Sequence, residues 1–188
     1  MERHLVVGLG NPEPRYAKNR HNVGFMVVDQ LAADERIDLG RSKFNAAYGA
    51  GTVEQNPVVL LEPRTFMNLS GRAVAPAARF FGVEPNRIVV VHDELDLPFG
   101  RLRLKVGGGH AGHNGLRSII ADLGSREFLR LRVGIGRPVH GAASDYVLAD
   151  FSAEERPWLP DLLERAVGAL RAVLREGVDK AMNAINAT

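Results

Sequence analysis

The residues with the clearest chemical potential are a histidine and an aspartate that lie far apart in the sequence. His21 follows a proline-bearing loop and stands just ahead of a predicted helix. A neutral imidazole that donates one ring N–H to a carboxylate keeps its other nitrogen free as a general base. Asp93, at the end of a hydrophobic run, is the natural candidate for that carboxylate. Taken singly, His21 is equally a cap or surface histidine and Asp93 a turn residue, so the hypothesis depends on their proximity in the fold.

Three asparagines occupy comparable positions: Asn11 after the first predicted strand, and Asn68 and Asn114 at the starts of two predicted helices. Each alone is explained as a turn or N-cap residue. Together they would line a site with neutral amides, which can bind a peptide carbonyl, hold a water molecule or stabilise an oxyanion. The chain has no cysteine and no Gly-x-Ser-x-Gly sequence, so no protein nucleophile is indicated. The pattern therefore favours a hydrolase that activates water, and an ester suits it because an alkoxide leaves more readily than an amine.

A dinucleotide-binding site is disfavoured. Gly8-Leu9-Gly10 begins like the glycine fingerprint of such sites, but Glu13 replaces the third glycine. Prolines on both sides of Glu13 also prevent the immediate helix that would hold a pyrophosphate. No cofactor is therefore predicted.

A metal-dependent hydrolase is one alternative. His92, Asp93, His110 and His113 offer imidazole and carboxylate ligands. His110 and His113 lie in a glycine-rich loop, however, and the sequence has no HExxH motif. The spacing fits no established metal motif, and the prediction is a site without metal.

Two predicted strands carry basic residues at alternate positions, in Arg101-Leu102-Arg103-Leu104-Lys105 and in Leu129-Arg130-Leu131-Arg132-Val133. The alternation places the cations on one face of a sheet and the apolar residues on the other. One such strand is explained by a solvated face, but two beside the proposed crevice favour a phosphate-contacting patch. A non-catalytic RNA-binding module that uses these strands is the second alternative.

The elements that must position these residues alternate between strands and helices. Strands are predicted at His4–Leu9, Phe44–Val53, Pro57–Glu62, Ile88–His92, Gly100–Val106 and Phe128–Ile135, and helices at Asn22–Glu35, Asn68–Phe81, Asn114–Leu123, Leu159–Leu174 and Val178–Ala187. This order predicts an α/β fold with a mixed, mostly parallel twisted sheet and helices on both faces. Ligands collect at the carboxyl ends of such strands. We therefore expect the loops at 10–12, 92–94 and 136–138 to lie close together.

The length and composition fit one domain over residues 1–188. The chain has 188 residues, of which 45% are hydrophobic and 24% charged, within the globular range. No segment approaches the roughly 18–20 apolar residues of a membrane span, and the N-terminus is typical of a first strand rather than a signal peptide. A cytoplasmic location without membrane attachment is predicted. The net charge of +2 permits a nucleic-acid partner without indicating one.

Several motifs together resemble the bacterial peptidyl-tRNA hydrolase family. They are VVGLGNPEPRYAKNRHNVGF, RTFMNLSG, VVVHDELDLPFGRLRLKVGGGHAGHNGLRSI and FLRLRVGIGRP, and DYVLADFSAEE continues the likeness. They run from Leu5 to Pro138 with little interruption, and their joint order and spacing are highly specific. Phe99 stands where a second proline is common, which affects the shape of a loop.

The resemblance implies a monomeric single-domain enzyme that cuts the ester between peptide and tRNA without a metal or cofactor. It implies that His21 is the general base and Asp93 its orienting partner. Asn11, Asn68 and Asn114 would contact the peptide and the 3′ end of the tRNA, or place the water.

The same resemblance implies further contacts around this centre. The residues that would line the crevice or its rim are Tyr16, Met67 and His113. Lys105 and Arg132 match positions that hold the 5′ phosphate of the acceptor stem. The segment from about 140 to 150 would be a mobile lid, with C-terminal helices over about 152–187.

Overall fold

One sheet of seven strands organises the part of the chain that the computed structural model describes, residues 2–187. The strands are β1 (His4–Gly8), β2 (Arg41–Lys43), β3 (Ala46–Val53), β4 (Asn56–Pro63), β5 (Ile88–Glu94), β6 (Leu102–Val106) and β7 (Leu129–Gly134). Their spatial order is β2-β3-β4-β1-β5-β7-β6. The four central strands β4, β1, β5 and β7 are parallel, while β3 and β6 pair antiparallel with their inner neighbours.

Helices cover both faces of this sheet. They are α1 (Val23–Glu35), α2 (Gly71–Phe81), α3 (Asn114–Leu123), α4 (Ala143–Val147), α5 (Leu159–Glu176) and α6 (Val178–Asn186). Alternate strand residues point to opposite faces, so that Val6 packs in the core with α1 and α5 while Leu5 and Val7 pack with α2 and α3. The predicted fold class is confirmed. None of the helices within residues 2–187 has the length and hydropathy needed to cross a membrane.

The predicted ends of the elements differ from the observed ones by up to three residues, and two of the differences have a clear physical reason. Phe44 and Asn45 have φ angles of 60° and 54° and form the turn between β2 and β3, not the start of a strand. The β2 residues are all exposed, so no hydrophobic pattern marks this strand in the sequence. The helix predicted from Asn68 begins instead at Gly71, because Met67–Leu69 forms a 3-10 turn.

Close packing of α1 against the sheet depends on Gly24. A Cβ atom there would lie 2.4 Å from the carbonyl oxygen of Val91 and 2.6 Å from the amide nitrogen of Leu9. Because Gly24 has no side chain, the start of α1 touches the backbone of β5 and the residue that follows β1. His21, three residues earlier, is thereby brought to the carboxyl end of β5.

The C-terminal helix α6 covers the edge strand β6. The Asn186 side chain accepts a hydrogen bond from the Leu104 amide at 2.9 Å and donates one to the Leu104 carbonyl at 3.0 Å. These two bonds satisfy backbone groups that an edge strand otherwise presents to solvent. Ahead of α5, Ser152 and Glu155 form a capping box, since they exchange side-chain-to-backbone hydrogen bonds.

Candidate active site

The expected convergence of loops occurs at the carboxyl ends of β1, β5 and β7, where a cavity of about 570 Å³ opens. Asn11, Asp93 and Arg137 line it, one from each of the three predicted loops. Seven of the ten predicted site residues line the cavity: Asn11, His21, Met67, Asn68, Asp93, His113 and Asn114.

Asp93 lies at the centre of this site and accepts hydrogen bonds from two histidines. Its Oδ2 lies 2.7 Å from Nδ1 of His21, and its Oδ1 lies 2.8 Å from Nε2 of His113. The Asp93 side chain is only 3% exposed, whereas those of His21 and His113 are 14% and 11% exposed. With Nδ1 bound to the carboxylate, Nε2 of His21 has no hydrogen-bond partner within residues 2–187. This is the arrangement of an oriented general base.

The protonation of His113 follows from its second contact. Its Nδ1 accepts hydrogen bonds from the amides of Gly115 and Leu116, at 3.1 and 3.3 Å, and so caps the start of α3. Because Nδ1 accepts, the ring proton must be on Nε2, where it is donated to Asp93. The explanation of Asn114 as the N-cap of this helix is therefore wrong, since His113 is the cap.

The charges of the site shift the pKa values of its members. Burial lowers the pKa of His21, but the charge of Asp93 and its hydrogen bond raise it, and the net pKa lies above 6.5. Burial raises the pKa of Asp93, while its interactions with His21 and His113 lower it by more, so the carboxyl is ionised. Burial and the neighbouring His113 lower the pKa of His92 to about 3, which keeps this ring neutral.

The ligand atoms of His21, Asp93 and His113 lie within 4.8 Å of one another, close enough to suggest a metal site. The tautomer of His113 opposes this reading, because an ion on Nε2 would have to replace the proton while Nδ1 still accepts two amides. His92 and His110, the other candidate ligands, have different contacts. Nδ1 of His92 bonds to the Asp93 carbonyl, and Nδ1 of His110 accepts from the Gly112 amide.

Asn11 is held by Asn22, the residue that directly precedes α1. The Asn22 side chain accepts from the Asn11 amide at 2.8 Å and donates to its carbonyl at 2.9 Å, and it makes no cap hydrogen bond. The Asn11 Oδ1 accepts from the Met67 amide at 3.3 Å. Its NH2 group is thus left as the donor without a partner in the described part of the chain.

Asn68 and Asn114 lie at the mouth of the cavity, and both are exposed. They also line an adjoining groove of about 440 Å³ between α2 and α3, together with Arg72 and Arg117. A cap role for Asn68 is wrong, because α2 begins at Gly71, after Ser70. A ligand longer than the cavity can continue past these two amides into the groove.

Three predicted site residues do not line the cavity. Tyr16 lies under the guanidinium of Arg15, 4.6 Å from its ring centroid. Lys105 is exposed on β6. Arg132 is partly buried, and its Nε donates to Glu94 Oε1 at 2.9 Å.

The proposed basic patch is smaller than its sequence pattern suggests, because Arg130 is buried. Its guanidinium is covered by the glycine-rich loop and donates to the carbonyls of Gly108 and Gly109. Arg130 therefore holds the loop that leads to His113 and is not open to a phosphate. Period-two alternation alone did not reveal that a loop folds over this strand.

Several residues that line the cavity were not among the predicted site residues. The carboxylates Glu94 and Asp96 line the cavity and are paired with Arg132 and Arg137. One further wall comes from α4 and its flanks, through Ala143, Ser144, Val147 and Leu148. Such a short, partly exposed helix has no clear periodic pattern.

The chain is similar in sequence and in structure to known proteins. The model of the family described as Peptidyl-tRNA hydrolase matches residues 5–188. A peptidyl-tRNA hydrolase of Geobacter sp. (strain M21) is 51% identical over 187 residues, covering 100% of both chains. One from Sorangium cellulosum is 53% identical, covering 97% of this chain and 83% of the relative. The crystal structure of peptidyl-tRNA hydrolase from Acinetobacter baumannii aligns with a TM-score of 0.92 at 42% identity, over 98% of this chain and 94% of that one.

Proposed function

The chain belongs to the peptidyl-tRNA hydrolase family, and from this premise we propose how its own residues cut the ester of peptidyl-tRNA. The observation that carries the proposal is the hydrogen-bonded group of His21, Asp93 and His113 at the bottom of the cavity. It supplies one buried carboxylate and one imidazole whose Nε2 faces no protein partner within residues 2–187.

In the proposed reaction His21 Nε2 removes a proton from a water molecule as the water oxygen attacks the ester carbonyl carbon. Asp93 stabilises the imidazolium that forms and keeps the ring in the tautomer with Nδ1 protonated. The tetrahedral intermediate then breaks its bond to the ribose oxygen. That oxygen takes the proton from His21 Nε2, and free peptide and tRNA leave.

Asn11 is the better placed of two candidates to stabilise the oxyanion. Asn22 holds the Asn11 backbone through two hydrogen bonds, and the Met67 amide donates to the Asn11 side-chain oxygen. The amide NH2 is thereby left as a positioned donor, so little reorganisation is needed when charge develops. Asn68 is exposed at the mouth, and we assign Asn68 and Asn114 to contacts with the peptide or the 3′ end.

The pairing of charges supports a preference for blocked amines. Each carboxylate at the cavity wall apart from Asp93 already has a cation, because Glu94 pairs with Arg132 and Asp96 with Arg137. A free α-ammonium of an aminoacyl-tRNA would therefore enter among amides and paired charges, without a carboxylate to compensate its lost hydration. A peptide bond at that position carries no charge.

Lys105 and the free guanidinium nitrogens of Arg132 are proposed to hold the 5′ phosphate of the tRNA, and Tyr16 and Met67 to support the peptide. The proposed enzyme is a monomer that needs no metal. The fixed tautomer of His113 supports a site without metal.

The test is hydrolysis of an N-acetylated aminoacyl-tRNA by the parent protein, by His21→Asn and by His4→Gln. His4 lies at the opposite end of β1 and serves as the matched control. We expect cleavage by the parent and the control, a loss of at least about 100-fold in His21→Asn, and little cleavage of the unacylated aminoacyl-tRNA. Because the base must be neutral, kcat/KM should rise with pH through a midpoint above 6.5. Full activity in His21→Asn would refute the assignment of the base.

A further inference from the structure

Arg20, the residue before His21, is a buried cation that does not line the cavity. Its side chain is 8% exposed. One guanidinium nitrogen donates to the Tyr146 carbonyl at 3.0 Å, and the other donates to Glu155 Oε1 at 2.8 Å. The guanidinium carbon also lies 3.9 Å from the centroid of the Tyr146 ring. A charge buried at this depth is stable only when it has an ion-pair partner and hydrogen-bond acceptors of this kind.

The backbone around Arg20 is tied to the same segment. The Arg20 amide donates to the Ala149 carbonyl at 3.0 Å, and the Asn19 side chain donates to the Leu148 carbonyl at 3.4 Å. Asn19 and Asp150 form an isolated antiparallel bridge. The chain that leads into His21 and the residues from 146 to 150 therefore form one hydrogen-bonded unit.

This unit carries a wall of the cavity. Val147 and Leu148 line the cavity beside His21, between the residues that bond to Arg20. The far side of the wall is fixed as well, because the Tyr146 hydroxyl donates to the Ile135 carbonyl, just beyond β7, at 2.6 Å.

Residues 138–141 contrast with this wall. Within residues 2–187, no hydrogen bond joins them to the rest of the protein. The Val139 side chain is 89% exposed, and Gly141 has a φ of 86° with open space around it. The segment expected to act as a lid is thus divided into a free part and a fixed part.

We propose that Arg20 is a positioning residue that fixes the cavity wall of residues 143–150 relative to His21 and thereby sets the affinity for the peptide portion of the substrate. Lid motion is then confined to residues 138–141. The proposal rests on the proposed function, because it takes the cavity to be the peptide site.

Arginine suits this task for a geometric reason. The planar guanidinium donates in two directions while its face stacks on a ring, whereas a lysine ammonium is a point charge on a flexible stem. Lysine at position 20 could keep the ion pair with Glu155. It would lose the stacking contact with Tyr146 and the fixed orientation that the planar guanidinium provides. The proposal therefore predicts a graded series of variants.

The experiment compares Arg20→Met, Arg20→Lys and Glu155→Gln with Arg79→Met, an exposed arginine in the last turn of α2, as control. Each is tested with N-acetylated aminoacyl-tRNA for kcat, KM and the pH midpoint, and by amide hydrogen exchange. Glu155 lies outside the cavity, and the glutamine oxygen can still accept from the Ser152 amide. An effect of this neutral isostere on KM is therefore expected to pass through the lost charge pair with Arg20.

We expect KM to rise about tenfold in Arg20→Met, and by smaller factors in Arg20→Lys and Glu155→Gln. The pH midpoint should stay that of the parent, because Asp93 still holds His21. Amide protection should fall selectively at residues 146–150. Arg79→Met should match the parent in every measurement.

An unchanged KM with a lower kcat and a lower melting temperature would overturn the proposal, since this is the result of a general loss of folded protein. If Arg20→Met does not fold, the KM and the amide hydrogen exchange of Glu155→Gln test the proposal. Parental values for both quantities would overturn the proposal. A parent that does not cleave the substrate counts against the proposed function instead. In that case the exchange data still judge the wall, because they need no activity.

Discussion

We expect Asp93→Asn to inactivate the enzyme because it changes the tautomer of His21. The contact between the side chains at positions 93 and 21 is kept. Asparagine has nearly the same shape, but it offers one oxygen acceptor and one NH2 donor, whereas the carboxylate accepts from both imidazoles. His113 must keep its proton on Nε2, because its Nδ1 accepts the two amides at the start of α3. The single oxygen of the new side chain is therefore claimed by His113, and its NH2 faces Nδ1 of His21.

His21 can accept from that NH2 only if its own proton moves to Nε2, and the nitrogen meant to take a proton from water is then blocked. In the opposite orientation of the new amide, its oxygen accepts from His21 and its NH2 faces His113. The Nε2–H of His113 is then a buried donor without an acceptor, at a cost of about 1–3 kcal/mol. The productive tautomer thus falls to between about 10% and 1%. Loss of the carboxylate charge, which stabilises the imidazolium, adds to this, so we expect a fall in kcat of about 10²–10⁴.

The same reasoning predicts a partial rescue. His113→Asn keeps an oxygen to cap α3, because asparagine is a preferred N-cap residue, but its shorter side chain withdraws the donor from position 93. In the double variant Asp93→Asn, His113→Asn, the oxygen at position 93 is free to accept from His21 again. We expect the double variant to be about tenfold more active than Asp93→Asn alone.

The assay is release of the N-acetyl amino acid from its tRNA, with kcat measured from pH 5.5 to 8.5 for the parent, both single variants and the double variant. Nitrogen-15 NMR of the imidazoles reports the tautomer of His21 directly. A double variant no more active than Asp93→Asn, or a His21 ring with Nδ1 still protonated in Asp93→Asn, would refute the reasoning.

Other consequences concern stability and tRNA. Gly24→Ala should destabilise the fold by about 3 kcal/mol because its Cβ meets the Val91 carbonyl. Gly168→Ala should stabilise the fold by about 0.5–1 kcal/mol, because the added methyl group on α5 meets open space. Thermal unfolding measures both changes. Burial and Asp29 raise the pKa of Glu62 to about 9. The folded state therefore keeps a proton that the unfolded state releases above about pH 4.5. The free energy of unfolding falls as the pH rises between these two values. Glu62→Gln should remove that slope and add at least about 1 kcal/mol at pH 8 in urea unfolding, with no gain at pH 4. Lys105→Ala should weaken tRNA binding and reduce its salt dependence by about one ion in a titration series.

The sequence predicted the fold well where hydrophobic runs are long. The central strands and α1, α3, α5 and α6 follow from apolar residues at strand or helix spacing, and their alternation sets the sheet with helices on both faces. It failed at β2, whose three residues are exposed and polar, and at Asn68–Phe81, where a 3-10 turn precedes the helix. Edge strands and turns bury few side chains, so their sequences show little hydrophobic periodicity.

The sequence by itself also determined the family and the central residues of the candidate site, since strand ends and motif order select His21, Asp93 and the three asparagines. Only the tertiary structure decided how these groups are joined. His113 became both the cap of α3 and the second donor to Asp93, and Asn22 became the support of Asn11. Each of these roles is a hydrogen bond between segments that meet only after folding, and the donor or acceptor state of a side chain depends on all its partners at once. No spacing along the chain specifies that set.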